Sequence, residues 1–166
     1  MIPFFDKLSD IRLLVLDVDG VLTDNTLLCT DEGQLLRTMH VRDGYAMHKA
    51  IKGNIQIIII TGGSSSGVTK RLDGLGNIQV FTKVRDKLPL LKEFCQENNY
   101  QSNEILYMGD DIMDMACMKW SGTSACPIDA VPEVKAISQY ICNLEGGKGC
   151  VREVIEMILK QQNKWI

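Results

Sequence analysis

The chain has 166 residues, 45% of them hydrophobic and 23% charged, with a formal net charge of −3. That is ordinary soluble globular composition, sufficient for one domain over residues 1–166, and it supplies no basic stripe for nucleic acid. The N-terminus shows no basic leader before an apolar stretch, no segment is apolar enough to span a bilayer, and the six cysteines are dispersed without a CxxC pair, so the expectation is a cytoplasmic protein with reduced thiols, no membrane contact and no disulfide framework.

Residues 1–11 read as a short amphipathic lead-in. A strand follows over Ile11–Asp17, whose leucine and valine run is that of a fully buried strand. It ends in Asp17-Val18-Asp19-Gly20. Carboxylates at the mouth of a buried strand need compensation, and a divalent cation is the usual one. Gly20 lets the backbone turn so that both acids converge on one ligand; taken alone, the pair also fits a loop of solvated acids. Next, Leu27–Thr30 and Gln34–Met39 flank Asp31-Glu32-Gly33 as a β-hairpin. Asp43-Gly44 punctuates, and Tyr45–Lys52 has the spacing of a short helix stopped by Gly53-Asn54.

Ile55–Ile60 is rich in isoleucine, as a central parallel strand requires. It runs out into Thr61-Gly62-Gly63 and three serines before a helix over Val68–Leu75. A strand over Ile78–Phe81 and a helix over Asp86–Asn99 come next. A further strand, Ile105–Met108, ends in Gly109-Asp110-Asp111. The remainder reads as a helix over Met113–Trp120, a strand over Thr123–Cys126, a helix near Val131–Ile137, a strand over Tyr140–Cys142 and a terminal helix over Cys150–Gln162. This alternation specifies an α/β doubly wound parallel sheet carrying a small β-hairpin flap. Ligands of such sheets bind at the carboxyl ends of the strands. Asp17/Asp19, Thr61/Gly62 and Asp110/Asp111 all stand at such ends.

Only two histidines exist, His40 and His48, and neither lies beside a strand-end cluster, which removes Ser–His or Cys–His nucleophilic catalysis. Carboxylates, one hydroxyl and one lysine remain. A carboxylate attacks phosphorus to make an aspartyl-phosphate, and a divalent ion holds both anions together. Thr61, with the amides of Gly62 and Gly63 opening a helix, offers a phosphate site, and a simple helix cap is the alternative. Lys87 is the candidate cation for the phosphoryl group.

Asp17-Val18-Asp19-Gly20-Val21-Leu22-Thr23, Thr61-Gly62, Lys87 and Gly109-Asp110-Asp111-Ile112-Met113-Asp114 stand in the order of the four motifs of the haloacid dehalogenase superfamily, which this chain resembles. The resemblance implies that Asp17 is the nucleophile, Asp19 the general acid/base, and Mg²⁺ the cofactor, held by Asp17, the backbone carbonyl of Asp19, and Asp110. Asp111 and Asp114 would support the metal or orient Lys87. Neither gap between motifs is long enough for a cap domain. Val41-Arg42-Asp43-Gly44, Val68-Thr69-Lys70-Arg71 and Gly146-Gly147-Lys148-Gly149 further resemble the capless 3-deoxy-D-manno-octulosonate 8-phosphate phosphatases and their nonulosonate 9-phosphate relatives. That likeness implies a small phosphosugar substrate, a role in lipopolysaccharide biosynthesis, Arg71 and Lys148 meeting substrate anions, and a homotetramer whose neighbouring subunits cover the site. One position departs: the octulosonate enzymes usually carry arginine after the second-motif Thr-Gly, where this chain has Gly63. A nonulosonate or another phosphosugar therefore stays open as substrate. Two other classes also remain, a phospho-accepting receiver and a non-catalytic oligomerisation module.

Overall fold

A computed structural model describes residues 3–165. The chain runs through α1 (Phe4–Lys7), a 3₁₀ turn (Leu8–Asp10), β1 (Leu13–Leu16), the hairpin strands β2 (Leu28–Cys29) and β3 (Leu35–Leu36), α2 (Val41–Lys52), β4 (Gln56–Ile60), α3 (Ser66–Asp73), β5 (Ile78–Phe81) and α4 (Lys87–Glu97). Then come β6 (Ile105–Met108), α5 (Met115–Trp120), β7 (Thr123–Cys126), α6 (Pro132–Ile137), β8 (Tyr140–Ile141) and α7 (Cys150–Gln161). The strands other than the hairpin form one parallel sheet in the order β5-β4-β1-β6-β7-β8. The expected doubly wound sheet is therefore present.

Alternation along each strand divides the core in two. Leu14, Leu16, Ile57, Ile59, Leu106 and Met108 face one layer, built from α2, α3 and α7. Leu13, Val15, Ile58, Ile60, Ile105 and Tyr107 face the other, built from α4, α5 and α6. Helix α7 shows how sequence specifies its place: Val151, Val154, Ile155, Ile158 and Leu159 recur at helical spacing and are all buried. Each such side chain removed from water contributes roughly 1.5–3 kcal/mol before entropy is counted. Five cysteines lie in these layers and Cys29 is exposed on β2, all six as free thiols.

After β1 the chain adds β4 and β5 on one side, then crosses to add β6, β7 and β8 on the other. The reversal makes the carboxyl end of β1 the switch point of the sheet, where ligands of such folds bind.

Local boundaries differ from expectation in several places: the hairpin strands are shorter than Leu27–Thr30 and Gln34–Met39, and α3 starts and ends two residues before Val68–Leu75. The lead-in is a turn of α-helix followed by a 3₁₀ turn, and its first two residues lie outside the described ones. Strand β1 is shorter than Ile11–Asp17, because the backbone begins to turn at the acids. Helix α2 starts at Val41, so Asp43-Gly44 lies inside its first turn instead of ahead of it. Asp43 is buried there, and its carboxylate is compensated by the Arg152 N–H, which donates to it at 2.7 Å and ties α2 to α7. Finally, Ile112–Asp114 is a separate 3₁₀ turn before α5, closed by a capping box between Asp111 and Asp114.

Candidate active site

Groups from three strand ends and the start of one helix meet in one cleft of about 190 Å³, lined by Asp17, Asp19, Thr61, Gly62, Lys87 and Asp110 among others. Asp17 continues β1, its N–H donating to the Met108 carbonyl at 3.1 Å. The chain then wraps around the Val18 carbonyl, which accepts from the N–H groups of Val21, Leu22 and Thr23. Gly20 makes this wrap possible, with φ +86°, and any side chain there would collide with the Asp110 carboxylate. Thr61 follows β4, Lys87 opens α4, and Asp110 stands two residues beyond β6.

Lys87 is buried and places Nζ 2.8 Å from Asp17 Oδ2 and 2.8 Å from Asp114 Oδ1. Asp114, fully buried, also accepts from the Tyr107 hydroxyl at 2.7 Å and from the Asp110 N–H at 3.2 Å. Both Asp114 oxygens are thus committed to donors, and its work is to hold Lys87 against Asp17. Asp111 turns the other way: exposed, it caps its own turn through the Ile112 N–H at 2.7 Å.

The oxygens of Asp17, Asp110 and Asp114 lie within 4.8 Å of one another. Asp110 Oδ1 is buried without a hydrogen-bond partner, and Oδ2 meets only a long contact from Asn25 Nδ2 at 3.4 Å. A buried carboxylate oxygen left unpaired is costly unless a cation takes it. Asp114 accepts two bonds at each oxygen, whereas each Asp17 oxygen accepts one and Asp110 Oδ1 none, so Asp17 and Asp110 keep lone pairs for a cation, and hard oxygen ligands of this kind suit Mg²⁺.

Burial, reinforced by Asp114, raises the Asp17 pKa to about 6 against the pull of Lys87. Burial followed by repulsion from Asp114, Asp17 and Asp111 raises Asp110 to about 8. For Lys87 burial works downward, but Asp114 and Asp17 more than offset it and its pKa is raised. An acid whose folded pKa exceeds its unfolded value stabilises the fold at low pH, and that stability is lost as pH rises through the folded pKa. The metal-free protein is therefore expected to melt several degrees lower at pH 9 than at pH 5, and Mg²⁺ to restore most of the difference. Calorimetry in EDTA and in Mg²⁺ across that range checks it; a pH-independent melting temperature without metal would contradict the geometry.

The structure brings Asp17, Asp19, Thr61, Gly62, Lys87 and Asp110 to this cleft, as expected from the sequence. The phosphate cradle needs correction. Helix α3 begins at Ser66, two residues before the expected Val68 and capped by Ser65, and Gly62 and Gly63 lie in the loop ahead of it instead of opening it. The Gly63 N–H is already spent on Thr61 Oγ1 at 3.1 Å. Arg71 lines a neighbouring, larger cleft of about 800 Å³ between the hairpin and α3. Lys148 pairs with Asp24 at 3.2 Å and lines a separate cleft beside His40 and Arg42.

Three residues escaped the sequence reading. Arg37 on the hairpin grips Asp19 with two bonds, Nε to Oδ1 at 2.6 Å and Nη2 to Oδ2 at 3.0 Å. An arginine directly after the paired leucines of a flap was the available signal. Asn25 reaches Asp110 from a left-handed turn position, φ 61°. Tyr107 is an aromatic in a buried strand whose hydroxyl needed a partner, which is Asp114.

A parallel sheet with paired acids after its first strand, a hydroxyl after the next and a lysine held by a late acid defines the class of haloacid dehalogenase-like hydrolases, and the model of that family matches residues 72–154. The 3-deoxy-D-manno-octulosonate 8-phosphate phosphatase of Salmonella typhi is 35% identical over 158 residues, covering 95% of this chain and 84% of that protein. The crystal structure of the corresponding phosphatase from Yersinia pestis superposes with a TM-score of 0.95 at 33% identity, over 98% of this chain and 88% of that one. The enzyme from Moraxella catarrhalis, solved with magnesium, phosphate and the octulosonate (KDO), gives 0.94 at 32% identity, over 98% and 93%. This chain belongs to the 3-deoxy-D-manno-octulosonate 8-phosphate phosphatase family.

Proposed function

We propose that the protein is a Mg²⁺-dependent phosphomonoesterase that hydrolyses a phosphorylated sugar acid, 3-deoxy-D-manno-octulosonate 8-phosphate or a nonulosonate 9-phosphate, through an aspartyl-phosphate on Asp17. The observation that carries this reading is the Asp114–Lys87–Asp17 chain beside an unpartnered Asp110 oxygen. It aims one carboxylate, one cation and one open ligand position at a single point.

In this mechanism Asp17 attacks phosphorus and the bond from phosphorus to the sugar oxygen breaks. Asp19 gives that oxygen its proton. Asp19 then takes a proton from water as the water attacks phosphorus, freeing phosphate and restoring the Asp17 carboxylate. Lys87, fixed by Asp114, offsets charge on the phosphoryl oxygens, and Thr61 with Gly62 binds one of them. Mg²⁺, held by Asp17, the Asp19 carbonyl and Asp110, would neutralise the phosphoryl group when bound. The hairpin's Leu27, Leu28, Leu35 and Leu36 are roughly half exposed. They support an assembly, which we infer to be a homotetramer, in which neighbouring subunits cover them and roof the cleft. Among the described residues no helix is long and apolar enough to cross a membrane, in keeping with the cytoplasmic location we infer.

Phosphate release from a panel of phosphosugars, with and without EDTA, tests the reading. The expected result is Mg²⁺-dependent turnover favouring one carboxylated phosphosugar at least about tenfold. No release from folded protein would return the non-catalytic reading.

A further inference from the structure

Arg37 is the least expected cation in the molecule. It extends from a hairpin whose neighbouring leucines face solvent, yet its own side chain is only 6% exposed. It is buried because it folds over Gly63 onto Asp19: a Cβ at position 63 would stand 3.2 Å from Arg37 Nη2 and 3.3 Å from Asp19 Oδ2. The bare glycine makes the space that the guanidinium fills.

Arg37 also stands between two cavities. It lines the cleft of about 800 Å³ formed by the hairpin and the start of α3, and a small void of about 10 Å³ that it shares with Asp19, Thr61 and Gly63. Asp19, Thr61 and Gly63 also line the cleft holding Asp17 and Asp110, so the two clefts adjoin through residues that Arg37 meets. The larger space beside Arg37 is the nearest volume able to take the body of a phosphosugar whose phosphate meets Asp17.

Of the five guanidinium N–H donors, three are engaged: Nε and Nη2 by Asp19, and Nη1 by the Leu35 carbonyl at 3.2 Å. One donor is left on each terminal nitrogen. Two such donors match the two oxygens of a second carboxylate, and Asp19 need not be released to take it.

We propose that Arg37 is the specificity-determining residue for the acid function of the substrate: held in place by Asp19 and the space at Gly63, it binds the sugar-acid carboxylate with its two free donors. This rests on the sugar-phosphatase reading above. It makes the flap a substrate-reading element. The carboxylate and the leaving oxygen then contact a single ion pair, so recognition and protonation share one anchor.

The test compares kcat/KM for a carboxylated phosphosugar and for a neutral hexose phosphate, in the wild-type protein, Arg37→Ala and Arg37→Lys, each with Mg²⁺ and with folding checked by melting temperature. The expected result is that the acid-to-neutral ratio falls about 100-fold in Arg37→Ala and about tenfold in Arg37→Lys, which keeps the charge but not the fork. Inhibition by the free sugar acid, which needs no turnover, should weaken in parallel while inhibition by inorganic phosphate does not. If Arg37→Ala lowers both substrates equally, Arg37 serves only to hold Asp19 and the proposal is overturned. It is also overturned if the ratio is unchanged. A wild-type protein with no preference for the acid defeats the sugar-acid reading itself, and this proposal with it.

Discussion

Asp17→Asn is expected to lower phosphate release by about 10⁴-fold or more while leaving the metal-free protein folded, because Lys87 keeps Asp114 as its partner. The amide is nearly isosteric and retains an oxygen for the Val18 N–H, which donates to Asp17 at 2.7 Å, but its NH₂ replaces the oxygen that accepted from Lys87. It lacks the nucleophilic carboxylate, so no phosphoryl-enzyme forms. It also carries one fewer negative charge beside Asp114 and Asp110, whose repulsion the native site tolerates. Phosphate release, denatured-protein mass spectrometry after rapid quench, and calorimetry in EDTA read the three consequences. Residual turnover near 1% of wild type would require another nucleophile.

Lys87→Met is expected to damage both fold and activity. The lysine is the cation between two buried acids, and removing one partner of such a group costs about 3–5 kcal/mol. For a chain of this length that is a loss of roughly 10 °C in melting temperature. The cost should be largest near pH 8 and smaller near pH 5. Asp17 already titrates near 6, and without its cation it neutralises more readily still. Turnover should fall by about 10²–10³-fold, because the phosphoryl oxygens lose their fixed positive charge. Urea denaturation at the two pH values, paired with kinetics, separates these effects. A pH-independent loss would mean that packing around the lysine stem matters more than its charge.

The sheet was legible because its inner strands β1, β4 and β6 are buried on both faces, and such strands are short apolar runs ended by polar punctuation. Asp17, Thr61 and Asp110 were readable for the same reason, each being the first polar group beyond an apolar run. What escaped was pairing across the chain. The Arg37–Asp19 grip spans 18 residues through a hairpin register that periodicity does not determine. Tyr107 reads as one more core residue until the packing of β6 against the turn at Asp114 is known. Asp43-Gly44 was misjudged because local turn preference argues for a break, whereas the tertiary bond from Arg152 lets the helix begin earlier.

The central position of β1 has a consequence for how the chain acquires its shape. It is the first strand made, yet its two neighbours are β4 and β6, which follow only at residues 56 and 105. During synthesis an entirely apolar segment must therefore wait, unpaired on both edges, until distant partners emerge. Native pairing of this kind closes large loops, which slows folding and lengthens the time for which the segment is vulnerable to aggregation. Asp17 is attached to that waiting strand, so the cleft cannot exist in any nascent chain that ends before Met108. Catalytic competence therefore waits, for this topology, on the pairing of the first strand with the second of its two neighbours.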